Sequence, residues 1–249
     1  MSGVISSNAR NTLRSALTLR APAICLAVFA VIGTFAVAVL VIMLVGWDVA
    51  ALATVLAVYL TGAMLAVVNM QRRYPHRAVG LCNMVTLLRF MLVATLCAPL
   101  LGTAEPWFAL AMAAIVLALD GLDGWLARWQ GVVSTYGARF DMEVDSAFAL
   151  ILALNVWAYG NTGAIVLLLG LPRYAFVVAT WVWPWLGRPV PDRFSRKLAC
   201  VLQIVALIAL LAPPVAEVAA LPVLTAAITI LVFSFGHDII WLHRQKRSS

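Results

Sequence analysis

The chain has 249 residues, 64% of them hydrophobic and 11% charged, with a mean hydropathy of +1.02. This composition excludes an ordinary water-soluble globular domain, and several runs of about 20 apolar residues have the length of membrane-crossing helices. The net charge of +7 suits nucleic-acid binding in a soluble protein. In so apolar a chain it reads instead as cytosolic loops rich in Lys and Arg that face anionic headgroups.

Residues 1–20 are polar and carry Arg10, Arg14 and Arg20 but no acid. The apolar run over 22–46 is long for the core of a signal peptide and reads as a first span. A second covers about 49–70. QRRYPHRAVG (71–80) is a basic linker expected on the membrane surface. Six further spans are predicted at about 80–102, 106–126, 137–159, 162–184, 195–213 and 218–241. The expectation is an all-α polytopic membrane protein with eight spans. Residues 1–79 would hold two N-terminal accessory helices and residues 80–249 a six-helix core. The short connections GTAE, YGNT and APPVAE predict tight hairpins.

With the amino terminus in the cytosol, fifteen of the seventeen Lys and Arg fall in cytosolic segments and none in the opposite loops. That asymmetry predicts both termini in the cytosol and an even span count. The other two cations, Arg89 and Arg173, lie inside spans, where each needs a partner or a polar cavity. Pro172, beside Arg173, is expected to break its helix. Cys25, Cys82, Cys97 and Cys200 are scattered without a CxxC and read as small buried hydrophobes. His76, His237 and His243 show no ligand spacing.

Five of the ten acidic residues lie between Asp120 and Asp145. Asp120 and Asp123 are three apart and Asp141 and Asp145 four apart, so each pair shares one helix face within about 60°. In the predicted topology both pairs reach the cytosolic side, joined by a loop over about 127–136. Four converging carboxylates make a site for two hard divalent cations, Mg2+ or Mn2+, able to hold a diphosphate. Gly124 and Gly137 allow close approach, and Arg128 can pair with a phosphate. Glu143 is turned away from the Asp141/Asp145 face and is left out of the set. The competing reading is a structural cluster paired with Arg128 and Arg139, which leaves an excess of negative charge.

The stretch resembles the signature of the CDP-alcohol phosphotransferases, D-x2-D-G-x2-A-R-x8-G-x3-D-x3-D. All fixed positions match: Asp120, Asp123, Gly124, Ala127, Arg128, Gly137, Asp141 and Asp145. The resemblance extends over about 80–241 and implies attack of an alcohol on the β-phosphorus of a CDP-linked donor, with CMP leaving. By motif position it implies Asp120, Asp123, Asp141 and Asp145 as metal ligands and Asp145 also as catalytic base. Gly124, Arg128 and Gly137 would line the cytidine-phosphate site. Asn83, Thr86 and Arg89 resemble the family's N-x2-T-x2-R pattern, which would put Asn83 and Thr86 near the nucleotide or its metal. The resemblance also implies a homodimer. Glycerophosphate-type members often carry Lys or Arg after the last Asp, where this chain has Ser146.

For the acceptor, Arg173 and the loop cations Arg188, Arg193, Arg196 and Lys197 suit a phosphorylated alcohol such as inositol phosphate or glycerol phosphate. The expected reaction is phosphatidyl transfer from CDP-diacylglycerol in phospholipid synthesis. Tyr174, Trp181, Trp183 and Trp185 leave a second reading, in which CDP-choline or CDP-ethanolamine is the donor and diacylglycerol the acceptor. A reading of another class is a cation transporter using the acidic cluster as its ion site.

Overall fold

A computed structural model describes residues 21–102, 105–159, 162–187 and 194–247, and every regular element among them is helical. Helices α1 (Ala21–Val45) and α2 (Val49–Arg73) form a hairpin, with Asp48 Oδ1 capping α2 through the amides of Ala50 and Ala51. Then come α3 (Leu81–Thr95) with a 3₁₀ turn at Ala98–Leu100, α4 (Pro106–Gln130) and α5 (Thr135–Tyr159). A 3₁₀ turn, Ala164–Val166, leads into α6 (Leu167–Gly170) and α7 (Pro172–Val182). After a further 3₁₀ turn at Pro184–Gly187, α8 (Phe194–Leu211), α9 (Pro213–Val218) and α10 (Ala220–Arg247) complete the chain.

The protein is an all-α polytopic membrane protein. Among the described residues six helices are long and apolar enough to cross a membrane: α1, α2, α3 with its 3₁₀ turn, α4, α5 and α10. The pair Ala164–Gly170 and α7 is bent by 70°, as a broken span or a re-entrant loop is, and the count is seven if it is one span. Pro172 opens α7 and has no amide proton to donate back, so the bend falls where the sequence places it. Eight spans were expected. The remaining one corresponds to α8, whose 18 described residues are not among the six. The APPVAE connection is not a bare loop, because α9 begins at Pro213.

Helix α3 is the centre of the bundle and packs against α1, α2, α4 and α5. Of its most apolar stretch 67% is buried within the protein, against 28% for α1, α2 and α4. The N-terminal hairpin is joined to this core by polar as well as apolar contacts. Within the hairpin Tyr59 donates to Ala30 O at 3.0 Å, and Tyr136 of α5 donates to Ala66 O of α2 at 2.9 Å. Far from these, the buried Asn155 amide of α5 donates to Leu96 O at 2.9 Å and Ile151 O at 2.8 Å. Each of these three buried polar groups thus has a partner that offsets its desolvation.

The turn between α4 and α5 is shorter than the expected 127–136. Helix α4 continues to Gln130 and α5 starts at Thr135. Gly131 closes α4 in the left-handed region at φ +64°, which costs a glycine little. Ser134 Oγ accepts from Gly137 N at 3.0 Å and caps α5. The same end is tied to α3: Leu81 N donates to Gln130 Oε1 at 2.8 Å, and Gly80 N to the Tyr74 hydroxyl at 3.1 Å. Burial raises the Tyr74 pKa, so the phenol stays neutral in this contact. Arg72, Arg73, Arg77, Arg128 and Arg139 all belong to the segments that meet here.

Close packing of α6 on α5 depends on Gly170. A Cβ there would lie 2.8 Å from Ala153 Cβ and 3.0 Å from Leu150 Cα. Backbone cannot yield as a flexible side chain can, so Gly170→Ala is expected to cost about 1–3 kcal/mol, read as a lower thermal unfolding midpoint in detergent. The cysteines depart in part from expectation. Cys82 is buried, but Cys25 and Cys200 are exposed on the bundle surface, where a small weakly polar side chain costs little in lipid.

Candidate active site

Three helices build the site. From α4 come Asp120 and Asp123, and from α5 come Asp141 and Asp145. The tight Gly131–Ser134 turn leads α4 into α5, and α3 packs against both, so the two pairs meet at α3. Carboxylate oxygens of Asp120, Asp141 and Asp145 lie within 4.8 Å of one another. Asp123 sits deeper and is 5% exposed at its side chain, against 32%, 37% and 44% for Asp120, Asp141 and Asp145. The cluster is therefore most open at Asp145 and closed at Asp123.

The third helix, α3, supplies a residue that the site expectation did not include. Arg89 is 1% exposed and its guanidinium reaches all four aspartates. Nη1 lies 2.6 Å from Asp123 Oδ2 and 2.6 Å from Asp141 Oδ1. Nη2 lies 2.6 Å from Asp120 Oδ1 and also bonds Asp145 Oδ1. The arginine does not snorkel to the surface. Its position inside a span was the signal: a cation there must find carboxylates, and the only dense group is 120–145. Four negative charges against one positive still leave the site strongly anionic.

Thr86 lies one turn before Arg89, with its Oγ1 2.9 Å from Cys82 O and 3.1 Å from Asp123 Oδ2. Asn83, another turn earlier, is 1% exposed, and its Nδ2 has no hydrogen-bond partner among the described residues. Gly137 lies beside it: a Cβ at 137 would be 3.3 Å from Asn83 Oδ1 and 3.2 Å from Ser134 Oγ. Arg128 is exposed in the last turn of α4, with Nη1 3.5 Å from the Cβ position of Gly124. The structure thus brings Asn83 close to Gly137, and Arg128 over Gly124.

These residues fit divalent cations. The donors are all oxygen, three of them meet at bridging distance, and the cluster carries uncompensated negative charge. The unpartnered Asn83 amide is a buried donor of the kind a ligand satisfies.

A family model described as CDP-alcohol phosphatidyltransferase matches residues 79–235, more than half of the chain. The chain belongs to the CDP-alcohol phosphatidyltransferase family. Comparison with curated proteins and with solved structures gives no match. Family membership makes the protein a membrane transferase of phospholipid synthesis, in which a CDP-linked donor meets an alcohol acceptor. The matched segment starts before α3 and runs into α10, so all site residues above lie inside it, and α1 and α2 lie outside.

The residues expected at the acceptor are dispersed. Arg173 Nη2 pairs with Glu143 Oε1 at 2.6 Å, on the side of α5 away from the aspartates. Arg196 lies 3.7 Å from Asp238 of α10, and Lys197 is exposed. Arg188 and Arg193 lie outside the described residues. Trp181 and Trp183 are largely exposed, and among the described residues no ring contact joins them to Tyr174.

Proposed function

We propose that this CDP-alcohol phosphatidyltransferase moves a phosphatidyl group from CDP-diacylglycerol to a small polar or phosphorylated alcohol, releasing CMP. The observation that carries the reading is the meeting of Asp120, Asp141 and Asp145 within 4.8 Å, inside the matched segment. Asp120, Asp123, Asp141 and Asp145 would hold two divalent cations, Mg2+ or Mn2+. When bound, these would hold the diphosphate and offset the charge that develops on the departing CMP. The alcohol oxygen forms a bond to the β-phosphorus as the bond from that phosphorus to the CMP oxygen breaks. Asp145 takes the hydroxyl proton, which its open position in the cluster favours. Asn83, Thr86, Gly124, Arg128 and Gly137 receive the cytidine phosphate.

The acceptor is taken as an inositol phosphate- or glycerol phosphate-like anion, received by Arg188, Arg193, Arg196 and Lys197; Arg173, engaged by Glu143 on the other side of α5, takes no part. The Lys/Arg asymmetry supports cytosolic termini and a cytosolic active site. With α8 as a further crossing the count becomes eight, six of them in a catalytic unit over 80–249. A homodimer is part of the same proposal. Supplying the purified protein with CDP-diacylglycerol or CDP-choline, each with a panel of acceptors, tests the substrate assignment. CMP is expected from CDP-diacylglycerol with a phosphorylated alcohol. CMP only from CDP-choline with diacylglycerol reverses the roles of donor and acceptor.

A further inference from the structure

A second cleft lies on the opposite side of α5 from the aspartates, between α2, α3 and α5. Its volume is about 420 Å³. Arg73, Asn69 and Arg139 line one end, and Leu65, Phe90 and Phe140 form apolar walls. At the inner end the Phe90 ring packs against Gly62, with Phe90 Cζ 2.2 Å from where a Cβ would stand. From Arg73 to Gly62 is eleven residues, about 16 Å along a helix, or half of a hydrocarbon layer of about 30 Å. The cleft therefore runs from one membrane face to the midplane, charged at the face and apolar within.

Its charge is not balanced from inside. Neither Arg73 nor Arg139 takes part in an ion pair among the described residues. The acid that lines the cleft, Glu143, is engaged by Arg173 at 2.6 Å. Two unpaired guanidinium groups over an apolar slot one leaflet deep match a phosphate with an acyl chain below it.

We propose that this cleft binds one anionic phospholipid, its phosphate on Arg73 and Arg139 and one chain along Leu65, Phe90 and Phe140. The apolar depth argues against a free phosphate, and the unneutralised cations argue against a zwitterionic lipid. Because α2 lies outside the matched family segment, the site is one that the N-terminal hairpin adds to the family core. It stands independently of the proposed substrates.

Native mass spectrometry of the detergent-solubilised full chain tests this, with phosphatidylglycerol and phosphatidylcholine as probes. The wild type is expected to retain one phosphatidylglycerol in preference to phosphatidylcholine. The Arg73→Gln/Arg139→Gln variant should lose that retention at least fivefold, and Arg73→Lys/Arg139→Lys should keep most of it. Glycerol phosphate should not displace the lipid. Equal retention of the two lipids overturns the proposal, as does wild-type retention in the glutamine variant. Loss in the lysine variant equal to that in the glutamine variant, or displacement by glycerol phosphate, overturns it as well.

Discussion

Asp145→Asn is expected to lower CMP release by about 10²–10⁴-fold, the range for removing a positioned general base. Asparagine keeps the shape of the side chain and can still offer an oxygen, but it cannot take the acceptor's proton. Saturating Mg2+ therefore should not restore the rate. Asp120→Asn, in contrast, weakens cation binding, and raising Mg2+ should recover part of its activity. The distinction rests on exposure: Asp145 is the most open of the four carboxylates and Asp123 the least, at 44% and 5%. Full recovery of Asp145→Asn by metal would make Asp145 a ligand only.

Arg89→Gln is expected to destabilise the protein by about 3–5 kcal/mol in metal-free buffer, the usual cost of leaving buried charges without their partner. Arg89 is 1% exposed and serves four carboxylates on two other helices. Without it the carboxylates of α4 and α5 repel one another with no cation between them. The sign of the metal response follows from the same charges. A divalent cation can replace the missing positive charge, so Mg2+ should raise the unfolding midpoint of Arg89→Gln more than that of the wild type. Arg89→Lys keeps the charge but loses the fork that reaches several carboxylates at once, and should fall between the two. An unchanged midpoint in metal-free buffer would show that Arg89 does not hold the helices together.

Most of the bundle was legible in the sequence because its signals are local. Long apolar runs gave the helices, and Pro172 gave the 70° bend. The spacing from Asp120 to Asp145 gave the two carboxylate pairs, since each pair sits on one helix and α4 and α5 are neighbours in sequence. What stayed hidden depends on contacts between distant segments. Arg89 is 34 residues from Asp123 and 56 from Asp145, and no periodicity reports that they meet. The Arg173–Glu143 pair, 30 residues apart, is of the same kind. Likewise the linker from 71 to 80 reads as a surface segment, but Tyr74 is buried and ties α2 to the start of α3. The cleft between α2 and α5 needed the fold of the hairpin against the core, which neither helix shows alone.

If the four aspartates form a cation-dependent site for a CDP-linked lipid, CMP release must require the metal. The most direct measurement is CMP release from CDP-diacylglycerol by the purified protein, first with Mg2+, then with excess chelator, then with Mg2+ or Mn2+ restored. The expected result is release that falls to background with chelator and returns with the metal. Release that continues unchanged in excess chelator, or no CMP from CDP-diacylglycerol with any alcohol, would contradict it.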